Sequence, residues 1–358
     1  MMNDLVGPVN KKIVYIATFC VWRSFGSILQ SFSLCSFLKD LGYDAKLIDY
    51  NFEDVDKLKK SKLTINQIKN SVFCIQEYIC KKGTQDFINQ NVPKTNHFER
   101  YDELVNLVSM DACFIAGSDQ IWNPDWCSPF FFLQFAKDSR KVSYAASMGK
   151  TDISEDKYDS FSNCVSGFDY ISVRENDACD VINQIVGGRA ECHVDPTFLH
   201  DSMFWMKYEK PYKIRKKYIL LYPLYWDKKY NDKLREISEK QDVEIVALSK
   251  SFSVYCTKRI VSADLGQFLY LIHHAEAVVT SSFHGLALSL NYHKRVCVVV
   301  NPSMPSRFDS LMDIFSINNI KAVNDISFSN IDYERFEVKR EQERKRAEEY
   351  LKLALGNS

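Results

Sequence analysis

The feature that most limits the fold is a repeated alternation of short apolar runs with segments of helical spacing. "KIVYIAT" (12–18) is a compact apolar run with polar flanks, the pattern of a buried strand. The next stretch, "FGSILQSFSLCSFLKDLGY" (25–43), sets Phe25, Ile28, Leu29, Phe32, Leu34, Phe37, Leu38 and Leu41 at helical spacing, and Gly42 follows as a helix stop. "DAKLIDY" (44–50) is the next strand. A strand–helix–strand unit of this length implies a parallel sheet with a right-handed crossover. Strand patterns return at "ACFIAG" (112–117), "KVSYAAS" (141–147) and "YISVRE" (170–175), followed by "HVDPTFL" (193–199). The polar, mixed stretch 53–110, with helical segments such as "INQIKNSVFCIQEYICKK", reads as a helical insertion outside the sheet.

A second α/β half begins at "KYILLYPLYW" (217–226). A helix (229–240), "VEIVALS" (243–249), a helix (264–274), "AVVTSS" (277–282), a helix from His284, "RVCVVV" (295–300) and a helix at 306–316 follow. The last segment is a charged helix with one apolar stripe, its charges read as a solvated face. The 358-residue chain suits two domains better than one core. The expected division is 1–205, with the insertion, then 206–330, then a helix over 331–358 that packs back on the first domain. Two open parallel sheets in tandem make a cleft, and ligands of such sheets sit at the carboxyl ends of the strands.

Composition excludes several classes. Lysine plus arginine and aspartate plus glutamate number 46 each, so nothing predicts an electrostatic grip on nucleic acid or anionic lipid. "MMNDLVGPVNKK" has no signal-peptide core, and no run reaches the roughly 18–20 apolar residues that span a bilayer. The expectation is a cytoplasmic protein with at most peripheral contact at the inner face of a membrane. The eleven cysteines lack CxxC spacing and sit in apolar runs, which reads as buried free thiols. No HEXXH, DXD or Cys/His cluster calls for a metal, and no GxGxxG or Walker loop calls for a dinucleotide or ATP. No metal and no cofactor are expected.

The densest group of special side chains is "GSDQIWNP" (117–124), at the carboxyl end of an apolar run. Two readings stand: a binding loop, or a turn whose Ser118 and Asp119 cap a following helix.

"FIAGSDQIWNP" resembles the signature of the polysaccharide pyruvyl transferase family. "FGSILQSFSLCSFLKDLGYDAKLIDY" (25–50) resembles its first loop, helix and strand. "KVSYAASMG" (141–149), "ISVRE" (171–175) and "VDPTFL" (194–199) resemble its middle blocks, and "TSSFHGLALSLNYHKRVCVVV" (280–300) its C-terminal block. The resemblance implies two Rossmann-like domains in a GT-B-like arrangement. It implies transfer of pyruvate from phosphoenolpyruvate to two hydroxyls of a sugar, giving a cyclic ketal and phosphate. The acceptor would be a sugar of capsule, exopolysaccharide, cell-wall polymer or glycan, free or carried as a lipid-linked oligosaccharide. One departure is Ser282, where some members carry arginine two residues before the histidine.

That chemistry needs a proton donor, groups for a phosphate and a carboxylate, and a place for sugar hydroxyls. His284, at a strand–helix junction, is the acid/base candidate, with Ser281, Ser282 and Gly285 as donor-binding neighbours at the helix N-terminus. The alternative is a capped helix with an incidental histidine. Arg174 can grip an anion bidentately, or pair with Glu175 at the domain junction. Arg307 either reaches the cleft to bind the donor or lies in solvent. Asp119 can orient or deprotonate a hydroxyl, Ser118 and Gln120 can bind the acceptor, and Trp122 offers a stacking face; the competing view makes Trp122 core and Asp119 a brace. Gly26, Ser27 and Gln30 open the first helix, facing the acceptor or merely capping. Asp195 is read as fixing the turn before Pro196, Tyr222, Tyr225 and Trp226 as core, and His273 and His274 as partners of a helix dipole. The competing functions are a GT-B-type glycosyltransferase using a nucleotide sugar, and a catalytically inactive glycan-binding protein.

Overall fold

The computed structural model describes residues 11–21, 24–50, 71–109, 111–125, 127–301, 306–317, 319–322 and 324–356. Residues 1–10, residues 51–70 with the first part of the expected insertion (53–70), and residues 302–305 of "NPSMPSRFDSL" lie outside the described residues.

The first half runs β1 (Ile13–Ala17), α1 (Phe25–Asp40), β2 (Asp44–Leu47), α2 (Ser71–Asn91), β3 (Cys113–Ala116), β4 (Arg140–Ser143), α3 (Glu155–Ser166), β5 (Ile171–Val173), α4 (Asn176–Val186), β6 (Ala190–Cys192) and α5 (Ser202–Met206). The second runs β7 (Tyr218–Tyr222), α6 (Asn231–Gln241), β8 (Glu244–Leu248), β9 (Lys258–Ile260), α7 (Leu265–His273), β10 (Ala277–Thr280), α8 (Phe283–Asn291), β11 (Arg295–Val298), α9 (Ser306–Phe315) and finally α10 (Tyr333–Leu355). The strands pair in parallel in the orders β2-β1-β3-β4 and β11-β10-β7-β8-β9. A parallel β5-β6 pair extends the first sheet through bridges Val142↔Tyr170 and Ala146↔Val173. The protein is thus α/β, with two Rossmann-like units. Strands β3 and β10 are buried along their whole length, which is why they read as unbroken apolar runs without alternation.

Helix α1 starts at a Ser24 cap, whose side chain accepts from the Ser27 amide. It is buried on nearly every face because it lies between its own sheet and the second half. Its Phe25 ring stacks on Phe268 at 4.6 Å, and the Ser33 hydroxyl donates to the Pro196 carbonyl. Helix α10 crosses back to the first sheet, where the Tyr350 hydroxyl donates to the Ser143 carbonyl and Tyr43 to the Gly356 carbonyl.

Three details differ from the sequence reading. The described part of the insertion is built into the fold: Phe87 and Ile88 of α2 are buried, and Lys94 and Phe98 bridge to Leu47 and Tyr50 beside the sheet. "HVDPTFL" is a turn with a short 3-10 helix at Pro196–Phe198, and the strand precedes it as β6. Strands β6 and β9 are three residues each and carry charged, solvent-reaching side chains, so unlike the wholly buried β5 they leave no apolar run to read.

Candidate active site

The polar residues converge where strands of both sheets end. Arg174 and Glu175 follow β5, Ser118 lies just past β3, and the turn after β10 leads into α8. That last turn is held by its own serines. The Ser282 hydroxyl accepts from the Gly285 amide and caps α8. The Ser281 hydroxyl accepts from the amides of Leu224 and Tyr225 and donates to the Tyr225 carbonyl. A β-carbon on Gly285 would lie 2.5 Å from Oγ1 of Thr280 and 3.0 Å from the Tyr222 ring. These contacts give Ser281, Ser282 and Gly285 structural work at this corner, and their expected donor-binding roles stand as a proposal. Their polar atoms and open space are already used to build the corner that presents His284.

His284, the second residue of α8, is enclosed. Its Nε2 lies 3.5 Å from Oδ2 of Asp195, is shielded from solvent and has no hydrogen-bond partner. On the other side a β-carbon at Gly26 would fall 2.1 Å from Nδ1. Only glycine lets the first turn of α1 rest against this ring.

Asp195 is wholly buried. Its Oδ1 accepts from the amide and hydroxyl of Thr197, at 3.0 and 2.8 Å, which is the turn-fixing role read from the sequence. Its Oδ2 accepts from the Ser118 hydroxyl at 2.8 Å and from Nη1 of Arg174 at 3.0 Å. Burial opposes ionisation, but His284, Arg174 and the Thr197 amide together hold this carboxyl far below the usual range. Sequence reasoning missed this second role.

Arg174 joins the two readings offered for it. Its Nε donates to Oε1 of Glu175 at 2.9 Å, an oxygen that also accepts from the Ser147 hydroxyl. The guanidinium lies 4.0 Å from the Phe283 ring centroid. Burial works against its charge, but Glu175, Asp195 and Asp119 outweigh it and raise its pKa. With two nitrogens already held by carboxylates, Arg174 is mainly a buried brace between the halves.

Arg307 is different. It sits in the first turn of α9, where the helix dipole disfavours a cation. Its Nε is shielded from solvent without a partner. Burial, then the charge of Arg174, lowers its pKa, while Glu175 and Asp119 pull the other way.

In "GSDQIWNP" the answer divides residue by residue. Trp122 is 0% exposed, stacks on Phe132 at 5.7 Å and meets Phe168 edge-on at 5.1 Å. It offers no face to a sugar, which corrects the stacking role expected of it. Ser118, Gly26 and Gln30 are also buried: Ser118 donates to Asp195, and Nε2 of Gln30 donates to Thr18, Phe19 and Ser27. Direct acceptor contact is therefore corrected for these three as well. Asp119 and Gln120 remain partly exposed. Asp119 has a left-handed backbone, φ 74°, uncommon for a non-glycine residue. Its carboxylate accepts from the Gln120 amide, and its carbonyl accepts from the amides of Ile121 and Ser147.

The sequence profile described as polysaccharide pyruvyl transferase matches residues 25–303, well over half of the chain. The chain belongs to this family. It is thus a transferase by family, and His284, Arg174 and the "GSDQIWNP" loop all fall inside the matched region. Curated proteins give no sequence match. Among solved structures, UDP-GlcNAc 2-epimerase from Methanocaldococcus jannaschii superposes with a TM-score of 0.51 at 12% identity, over 92% of this chain and 91% of that one. UDP-GlcNAc 2-epimerase from Neisseria meningitidis gives 0.48 at 11% identity, over 96% and 93%. The first likeness establishes a shared GT-B-like arrangement of two Rossmann-like domains, and it extends to the fold alone.

Proposed function

We propose that this family member transfers the pyruvyl group of phosphoenolpyruvate to two hydroxyls of a cell-surface polysaccharide sugar. The observation that supports the reading is His284, with its shielded Nε2 3.5 Å from the buried Asp195 carboxylate, which also holds Arg174; Arg307, whose Nε is shielded without a partner, feels the charges of Arg174, Glu175 and Asp119.

In this mechanism protonated His284 gives its proton to the methylene carbon of the donor. The C=C electron pair forms the new C–H bond, and the adjacent carbon acquires oxocarbenium character. A first sugar hydroxyl attacks that carbon, and a second displaces the phosphate, closing the ketal. One hydroxyl proton restores His284 and the other leaves with phosphate, so atoms and charge balance. Arg307 supplies positive charge for the donor's phosphate or carboxylate, in place of the arginine that Ser282 replaces. Asp119 and Gln120, partly exposed on the first half, receive the acceptor hydroxyls.

Phosphate release from phosphoenolpyruvate with a pyruvylatable sugar acceptor tests this. A general acid–base group typically contributes about 100- to 10,000-fold, so His284→Ala should lose turnover by that order. Arg307→Gln should raise the apparent constant for phosphoenolpyruvate with the melting temperature held. Near wild-type turnover in both variants, or turnover of nucleotide sugars alone, would overturn the assignment.

A further inference from the structure

Away from the cleft, α7 ends in the histidine pair that the sequence reading gave to the helix dipole. The fold gives them a shared carboxylate. Nδ1 of His273 lies 2.8 Å from Oε1 of Glu209, and Nδ1 of His274 lies 3.9 Å from Oε2 of the same side chain. One ligand atom from each of the three residues falls within 4.8 Å of the others. In a tetrahedral zinc site with bonds of about 2.0–2.1 Å, ligand atoms are separated by about 3.3 Å, so the three side chains need only draw together by small rotations to hold an ion. The sequence hides the group, because Glu209 stands 64 residues before His273.

A second, independent observation comes from Tyr292. Its ring stacks flat on His273, with centroids 4.7 Å apart and planes at 10°. It is 5% exposed, and its hydroxyl, shielded from solvent, lies beside the Glu209 carboxylate without a hydrogen bond of ordinary length. The hydroxyl feels the charge of Glu209, so it faces the same spot. A buried hydroxyl held only by a long contact to a carboxylate is under-satisfied, and a water held on an ion between them would complete it.

We propose that Glu209, His273 and His274 bind a divalent transition ion of the zinc class, with Tyr292 hydrogen-bonding a water on it. Two imidazoles and one carboxylate suit Zn²⁺, Co²⁺ or Ni²⁺, whereas Mg²⁺ and Ca²⁺ demand oxygen ligands. The opposing group is Lys294, whose ammonium also acts on Glu209. His274 would also have to turn from the Tyr270 carbonyl, 3.1 Å from its Nδ1. The role of the ion is mechanical. Tyr292 caps the C-terminus of α8, and His284 sits at its other end, about 12 Å away at 1.5 Å per residue. An ion here pins the far end of the helix that carries His284, and the inference stands whatever the reaction is.

The test uses the full-length, untagged chain, stripped with a chelator and titrated with Zn²⁺ and Co²⁺. One equivalent should bind and raise the melting temperature, with Mg²⁺ giving no rise. The Co²⁺ spectrum should lack a thiolate charge-transfer band. His274→Ala, at a side chain 43% exposed and so compatible with folding, should weaken binding by at least about tenfold. Absence of stoichiometric binding would overturn the proposal, as would equal affinity in His274→Ala. A thiolate band would put the ion on cysteines and overturn it too.

Discussion

Lowering the pH should destabilise the first half through one residue, His193. This ring is 1% exposed, lies between Tyr144 and Tyr350 at 6.0 and 4.6 Å, and has Nδ1 3.0 Å from the Ser172 hydroxyl. Burial, with a smaller push from Arg346, lowers its pKa to about 3. An unfolded histidine titrates near 6.5, so below that pH the unfolded chain takes up a proton that the folded chain refuses. The stability is therefore fully present above pH 6.5 and is lost as pH falls toward the folded value. Each pH unit costs about 1.4 kcal/mol, so the loss at pH 4.5 is roughly 2.7 kcal/mol. Glu191, 3.7 Å from Nε2, is 55% exposed and its attraction is weakened by solvent. Urea unfolding at pH 7, 5.5 and 4.5 would measure the effect on wild type and on His193→Gln, which keeps a partner for Ser172. Other groups titrate in the same range, so the difference between the two pH dependences is the quantity to read. If the variant loses stability in parallel with wild type, the reasoning about His193 is wrong.

Three further outcomes follow from the site. Gly26→Ala should cut turnover by about 100-fold or more, because the new methyl overlaps the His284 ring and must displace it; unchanged turnover would mean that the ring has room to move. Trp122→Ala should cost about 3–5 kcal/mol in unfolding and affect donor and acceptor constants equally, as expected of a core aromatic; a selective rise in the acceptor constant would restore the stacking role. Asp195→Asn leaves Arg174 short of one buried carboxylate, so about 3–5 kcal/mol of stability should be lost with turnover; a fully stable, inactive variant would show that Asp195 serves chemistry alone.

The sequence made the scaffold legible where an element was long or strongly apolar. Helix α1 carries its period in itself and Gly42 marks its end, while β3 and β10 stand out as short unbroken apolar runs. It made the site legible only in part. His284 could be placed because a strand and a helix pattern meet there. Trp122 could not be sorted, since an indole after a strand looks the same whether it faces a sugar or Phe132 and Phe168. Asp195 was underread for a related reason. Asp–Pro is a strong local turn signal, and Oδ1 obeys it, while the partners of Oδ2 lie 77 residues away at Ser118 and 21 away at Arg174. Local patterns report neighbours in sequence, and this carboxylate acts on neighbours in space.

How Asp195 acts on His284 follows from counting its hydrogen bonds. The in-plane sites of Oδ2 are occupied by the Ser118 hydroxyl and Nη1 of Arg174. The 3.5 Å to Nε2 of His284 is longer than an ordinary N–H···O bond, so the contact is a long, weak one. The carboxylate therefore acts on the imidazole mainly through charge and packing. Gly26 covers the opposite side of the ring and fixes its plane. The orientation of the ring is thus set by residues of both halves of the molecule, Asp195 and Gly26 on one and its own helix α8 on the other. Arg307 completes the asymmetry: Arg174 is neutralised by two carboxylates, whereas Nε of Arg307 has none within hydrogen-bond reach. On the proposed function, the donor's phosphate or carboxylate would bind at Arg307, on the same half of the chain as His284, and not at Arg174.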